Sequence, residues 1–333
     1  MSPTVHPAFW SDRRVFVTGC SGFLGTWTVQ ELRSHGAFVV GLVRDIPRES
    51  TLLGTEWSRP DFTVLGHLED YDCILRALNE YEIETVMHLG AQPIVGTALR
   101  DPRGTFEANI RGTWNVLEAC RQVSTVRRIV VASTDKAYGT ADRLPYDETM
   151  QLAGRHPYDV SKACADMLAQ GYHETYQLPV CITRCANFYG GGDLNFSRIV
   201  PGTMRSVLAG TRPVLRSDGT MIRDYIYIRD VVGGYLTLAE AMDRSDIWGR
   251  AFNLSTEEPL SVLELTRRIL AVMGRQDLEP VILNETRAEI QEQHLSAGRA
   301  RRELGWKPQH TLDQSLAETG DWYRAHIERR ATP

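Results

Sequence analysis

The sequence predicts an α/β fold, a doubly wound parallel sheet with a smaller C-terminal α/β domain. Three observations carry this expectation. Short β-branched runs alternate with helical patterns through the first half of the chain, the signature of repeated strand–helix units. The runs are almost continuously apolar, as parallel strands covered on both faces require. A glycine-rich turn directly follows the first run.

Val15-Phe16-Val17 leads into that turn and then into an amphipathic stretch from Phe23 to Ser34. Phe38 to Val43 reads as a second strand and Asp61 to Leu65 as a weaker third. Glu84 to Leu89 and Arg128 to Ala132 are further strands, separated by a helical pattern from Thr105 to Cys120. Pro179 to Thr183 supplies another strand after a helix over Pro157 to Tyr176. This order is that of a Rossmann domain, placed at residues 1–185, with segments near 225–255 returning to it. Beyond Cys185, glycines and prolines cluster at Gly190 to Gly192, Pro201, Pro213 and Gly219. Helices over Val262 to Met273 and Leu312 to Ile327 follow. Residues 186–333 are expected to form the smaller domain, built onto the sheet.

The chain of 333 residues can bury a substantial core. Its net charge of −5 argues against binding nucleic acid, which needs a clustered basic face. A phosphorylated substrate stays open, because a few local arginines suffice for it. No apolar run approaches the ~20 residues of a membrane span, and the first residues lack the basic and apolar regions of a signal peptide. Cys20, Cys73, Cys120, Cys164, Cys181 and Cys185 show no C-x-x-C pairing, and most lie in apolar stretches. No metal site is expected, and a reducing cytoplasm is the natural compartment.

Thr18-Gly19-Cys20-Ser21-Gly22-Phe23-Leu24-Gly25 has a G-x-x-G-x-x-G spacing between a strand and a helix. Gly19 permits the tight turn, and Gly22 lets the backbone approach a pyrophosphate. Gly25 allows close packing of helix on strand, while the helix N-terminus faces the phosphates. Ser21, Phe23 and Leu24 complete this cofactor cradle. The second strand ends Val43-Arg44-Asp45. An aspartate there accepts from the ribose hydroxyls of NAD, whereas an arginine pairs the 2′-phosphate of NADP. Both residue types are present, so NAD is placed ahead and NADP stays open.

Tyr158 and Lys162 stand four residues apart, on one face of a helix. A tyrosine, with a reference pKa of about 10, is a poor base at neutral pH. The Lys162 ammonium and a positive nicotinamide ring would favour its phenolate and make proton abstraction practical. Lys162 can also hold a ribose hydroxyl. His88, at a strand end, reads as a satisfied core histidine.

With these residues in place, the chain resembles the extended short-chain dehydrogenases/reductases that act on nucleotide sugars, over nearly its whole length. His88-Leu89-Gly90-Ala91-Gln92 resembles the family's H-L-A-A-Q, and Asn109-Ile110-Arg111-Gly112-Thr113 its N-x-x-G-T. Arg223-Asp224-Tyr225 through Asp230 matches the R-D-Y/W-x-x-V-x-D segment of the substrate domain. The resemblance implies that Leu89, Ala91 and Asn109 join Tyr158 and Lys162 at the cofactor. It implies Gln92 and Thr134 at the sugar, and Asn187, Arg223 and Arg198 at the diphosphate. It also implies a homodimer through a helix pair that includes the Tyr158 helix.

The reaction is discriminated by Ser133-Thr134-Asp135-Lys136. Epimerases of the family carry small or uncharged residues after the serine/threonine pair, whereas 4,6-dehydratases carry two ionisable ones. The aspartate–lysine version resembles CDP-glucose 4,6-dehydratases, as do Gly22 to Trp27, Ala91 to Val95, Asn187 to Asp193 and Arg198 to Pro201. Gly202 departs from that branch, which has an aspartate there. The resemblance implies an internal redox cycle on an NDP-hexose, with CDP-glucose expected. Tyr158, helped by Thr134, removes the C4 hydroxyl proton as hydride passes to the cofactor, and the 4-ketone acidifies C5. Asp135 is the candidate acid for the departing C6 hydroxyl, if burial or hydrogen bonding keeps it protonated. Lys136 stands where other dehydratases place a glutamate base, and it could instead stabilise an enolate. Hydride returning to C6 completes an NDP-4-keto-6-deoxyhexose. The alternatives are a nucleotide-sugar 4-epimerase and, from another class, a dinucleotide-sensing regulator that has lost catalysis.

Overall fold

Seven parallel strands form the central sheet: β1 (Arg14–Thr18), β2 (Phe38–Val43), β3 (Phe62–Leu65), β4 (Thr85–His88), β5 (Arg128–Thr134), β6 (Val180–Cys185) and β11 (Ala251–Leu254). The computed structural model describes residues 5–45, 59–141, 143–285 and 290–331. The strand order is β11-β6-β5-β4-β1-β2-β3. Chain direction along the sheet therefore reverses between β1 and β4, where Val17 pairs with Gly41 on one side and Met87 on the other. Such a switch point opens a crevice beyond the carboxyl ends of the strands.

Side-chain alternation along the strands divides the core in two. Val15, Val17, Val39, Met87 and Val130 pack on one face, and Phe16, Val40, Val86, Ile129 and Val131 on the other. Each such side chain contributes about 1.5–3 kcal/mol on burial. Both faces are thus largely apolar, which is why the strand sequences read as nearly continuous apolar runs. The edge strand β3 is mostly exposed, in keeping with its weaker sequence signal.

The first face is covered by α2 (Phe23–Ser34) and α9 (Ile228–Ala241), and the short α1 (Pro7–Trp10) buries Trp10 in the same core. The second is covered by α3 (Tyr71–Glu80), α6 (Gly112–Gln122) and α7 (Pro157–Tyr176). Asp70 caps α3 by accepting from the Cys73 N–H, a standard use of a short carboxylate at a helix start. The helix expected over Thr105 to Cys120 is built in three pieces. After a short α4 (Val95–Arg100), α5 (Pro102–Phe106) leads into a π-helical turn over Glu107–Arg111, from which α6 continues. Asn109 lies in that widened turn and its amide is bonded to the Gln92 backbone, a tertiary demand that helical periodicity does not reveal.

The remaining elements gather beyond β6. β7 (Asn187–Tyr189) pairs with β10 (Tyr225–Tyr227), while β8 (Val214–Leu215) and β9 (Ile222–Arg223) form small separate ladders. α8 (Ile199–Leu208), α10 (Val262–Val272) and α12 (Leu312–Ala331) pack together, and α11 (Gly298–Leu304) lies against β11. Ser261 and Glu264 close α10 with a reciprocal capping box. Among the described residues, no helix is long and apolar enough to cross a membrane and no acidic, histidine or cysteine cluster could hold a metal.

Candidate active site

The glycine turn is shaped by close backbone approaches. Gly19 has φ +69°, and a Cβ there would lie 2.7 Å from Gly90 Cα. A Cβ on Gly25 would fall 2.0 Å from the Gly19 carbonyl oxygen. Only glycine satisfies both positions. Gly22 is the N-cap of α2 and offers no side-chain cap, so the first-turn N–H groups from Phe23 and Leu24 onward point out of the turn. An uncapped helix start behind a glycine cradle suits a pyrophosphate. Leu89, Ala91 and Gln92 lie half-buried after β4, across the switch point. At the end of β2, Arg44 and Asp45 pair with each other at 2.7 Å and stay well exposed; such surface pairs contribute about 0–1 kcal/mol and yield readily to a ligand.

Beneath this turn, His88 is fully partnered. Thr18 Oγ1 lies 2.8 Å from its Nδ1, and Thr113 Oγ1 lies 3.0 Å from its Nε2. Thr18 Oγ1 also accepts from the Gly90 N–H, and Thr113 Oγ1 donates to the Asn109 carbonyl. Donor and acceptor roles are consistent along this chain when His88 is neutral with its proton on Nε2. Burial, with the Lys162 charge nearby, holds the imidazole down to about 3.

Asn109 is buried and its amide is fully used. Its Oδ1 accepts from the Gln92 N–H at 2.7 Å, and its Nδ2 donates to the Gln92 carbonyl and to Ser161 Oγ. Ser161 Oγ donates in turn to the Tyr158 carbonyl at 2.7 Å. The Gln92 amide bonds Ile94 and Thr105. The Asn109 side chain therefore ties the segment after β4 to α7, and the Gln92 side chain ties it to α5.

α7 begins at Pro157, pre-set for the first helical turn, and so delivers Tyr158 beside the end of β5. Burial pushes the Tyr158 phenol up to about 12; Arg198 is the main opposing charge, the carboxylates Asp135 and Asp159 push the same way as burial, and a contact with Thr134 eases it. Lys162, one helical turn on from this phenol, donates to the Ala132 carbonyl. Burial brings its ammonium down to about 8. Arg198, the N-cap of α8, thus brings a positive charge towards Tyr158 from a position remote in sequence, while the Lys162 ammonium bonds the strand end.

Thr134 caps a 3-10 turn over Asp135–Tyr138. Asp135 is only 1% exposed. Its Oδ1 accepts from Thr134 Oγ1 at 2.9 Å and lies 3.8 Å from Lys136 Nζ, while its buried Oδ2 has no hydrogen-bond partner among the described residues. Lys136 is half-buried, so the pair is not a solvated surface contact. Asp159, also buried, carries a carboxyl pushed up by desolvation, which the charge of Lys136 opposes.

Several supporting residues escaped the sequence reading. Tyr138 stacks on Tyr146 at 5.0 Å, donates to Asn253 Oδ1 and accepts from Arg184. Arg184 and Asp166 are both buried, and Tyr146 OH donates to the Gly139 carbonyl. A charged letter inside the apolar run of β6 was the available signal for Arg184. On the other side, the Asn187 N–H and its Nδ2 donate to the Asp224 carbonyl. Arg223 donates to the Ile222, Ile290 and Gln291 carbonyls, and Arg198 pairs with Asp193. The structure thus gathers Thr134, Asp135, Lys136, Tyr158 and the charge of Arg198 at one place, with the glycine turn and Lys162 behind them.

A family profile described as GDP-mannose 4,6 dehydratase matches residues 16–319. The chain belongs to this family. The motif resemblance and the family membership agree. The family member is 28% identical to the CDP-glucose 4,6-dehydratase of Salmonella typhimurium, over 96% of this chain and 92% of that protein. It is 30% identical to the UDP-glucose 4-epimerase of Mycolicibacterium smegmatis, over 93% of this chain and 98% of that one. Among solved structures, the dTDP-glucose 4,6-dehydratase of Streptomyces venezuelae with NAD and TYD bound has a TM-score of 0.83 at 27% identity, covering 95% of this chain and 98% of that chain.

Proposed function

We propose that the protein is a nucleotide-sugar 4,6-dehydratase that converts an NDP-hexose, CDP-glucose first among them, to the NDP-4-keto-6-deoxyhexose. The observation that carries this reading is the Thr134-Asp135-Lys136 turn, where a buried carboxyl and an ammonium stand together near Tyr158. A 4-epimerase removes and replaces only the C4 hydrogen and has no use for an acid at C6.

The cofactor is NAD, as in the Streptomyces venezuelae relative, and when bound it would supply a hydride carrier that accepts from C4 and gives back to C6. The glycine cradle from Gly19 to Gly25 holds its pyrophosphate, Asp45 takes the adenosine ribose, and Lys162 takes the nicotinamide ribose. Tyr158, in contact with Thr134, receives the C4 hydroxyl proton. Its protonated resting form means that Arg198 and the bound reactants must together lower it. Lys136 acts at C5, as the free amine that takes the C5 proton and then as the resulting ammonium that holds the enolate. Asp135 is the acid proposed to act on the C6 hydroxyl as water leaves. Asn187, Arg198 and Arg223, from the region 186–333, hold the diphosphate. Trp114 on α6 and Met167 on α7 are 42% and 63% exposed, which supports a homodimer through these helices. Six free cysteines suit the cytoplasm.

The test is incubation with CDP-, dTDP-, UDP- and GDP-hexoses and mass spectrometry for loss of water. In deuterated water, the dehydratase places solvent deuterium at C5 and moves the C4 hydrogen to C6. Product that keeps its C6 alcohol would overturn the reading in favour of an epimerase.

A further inference from the structure

We propose that Asp193 is a positioning residue that holds Arg198 ready for the substrate diphosphate, with the C-terminal helix α12 holding Asp193 in turn. This rests on the reading of Arg198 as a diphosphate ligand.

Asp193 ends the Gly190-Gly191-Gly192 turn that follows β7. Its side chain is buried, with Oδ2 3.0 Å from Arg198 NH1, and its Oδ1 accepts from the Asn195 N–H at 3.1 Å. The Asp193 carbonyl accepts from the Tyr323 hydroxyl of α12, and Tyr323 is fully buried. The turn is gripped at a second point, because a Cβ on Gly191 would lie 2.3 Å from the Trp322 ring. Trp27 Nε1 also donates to the Gly191 carbonyl at 2.8 Å.

Arg198 itself is the N-cap of α8, and its side chain remains 37% exposed beside this buried anchor. A guanidinium offers five N–H donors, so one ion pair leaves donors for a phosphate. A side chain already ordered by a buried carboxylate loses less rotamer freedom on binding. The Arg198 charge also reaches the Tyr158 phenol, so the same anchor links α12 to the catalytic end of the site.

The experiment measures binding of CDP, dTDP, UDP and GDP to the NAD-loaded enzyme by calorimetry, for wild type, Asp193→Asn, Tyr323→Phe, Arg198→Met and the Asp193→Asn/Arg198→Met double variant. Asp193→Asn is expected to weaken the preferred diphosphate by about tenfold, and Tyr323→Phe by about threefold, with NAD affinity unchanged in both. The double variant is expected to bind no more weakly than Arg198→Met alone, because Asp193 acts through Arg198. Wild-type affinity in Asp193→Asn, additive losses in the double variant, or no diphosphate binding by wild type would each overturn the proposal. Should Asp193→Asn fail to fold, Tyr323→Phe decides, since its effect must vanish in the Arg198→Met background. Tight diphosphate binding without turnover of any hexose would break the dehydratase reading while leaving the Asp193–Arg198 relationship intact.

Discussion

Arg184 on β6 and Asp166 on α7 form a buried two-pronged ion pair, Nε to Oδ2 at 2.8 Å and NH2 to Oδ1 at 3.0 Å. The remaining guanidinium nitrogen reaches Tyr138 OH at 2.9 Å, and Tyr138 ends the turn that carries Asp135 and Lys136. The pair is therefore the rear support of the proposed acid. Asp166→Ala leaves a guanidinium buried without its counter-ion and is expected to cost about 3–5 kcal/mol. Urea denaturation measures this, and a loss under about 1 kcal/mol would contradict the role.

Asp135→Asn keeps the shape of the turn and removes the acid. Turnover is expected to fall by about 10²–10⁴-fold, the usual contribution of a positioned acid or base. Oxidation at C4 is expected to survive, so reduced cofactor should accumulate transiently in stopped-flow absorbance. Full-rate water loss by this variant would remove Asp135 from the mechanism.

Lys162 gives a pH-dependent prediction. Its ammonium is brought down from 10.5 to about 8 by burial, so the folded state binds this proton less well than the unfolded chain does. The unfavourable contribution is fully present below about pH 8, shrinks through that window, and is gone above about 10.5. Lys162→Met is therefore expected to stabilise the cofactor-free protein at neutral pH by about 1–3 kcal/mol while abolishing activity. Thermal melts should show the gain shrinking towards pH ~10; a constant gain across that range would refute the cause given.

Gly25→Ala probes the cradle. The added Cβ would meet the Gly19 carbonyl oxygen at 2.0 Å and Cys20 Cα at 2.8 Å, so helix and turn must separate. Loss of NAD binding by at least about tenfold is expected, together with destabilisation of about 1–3 kcal/mol. Titration of NAD fluorescence quenching measures the first effect, and unchanged affinity would show that the turn does not hold the dinucleotide.

The legible part of this protein lies in residues whose meaning is local. The apolar runs of β1, β2, β4, β5 and β6, the glycines at 19, 22 and 25, and the four-residue step from Tyr158 to Lys162 express backbone geometry and side-chain period. Each can be read within a few residues, and together they determined the doubly wound sheet and pointed to the candidate site. The tertiary structure alone decided which charges meet. The Arg198 charge faces Tyr158, Asp166 finds Arg184, Asn109 sits in a π-helical turn to reach Gln92 and Ser161, and Asp193 is held by Tyr323 from the last helix. A charged or amide residue carries no period that names its partner. Its partner is whichever group the packed layers bring within hydrogen-bonding distance, and burial then sets the strength of the contact.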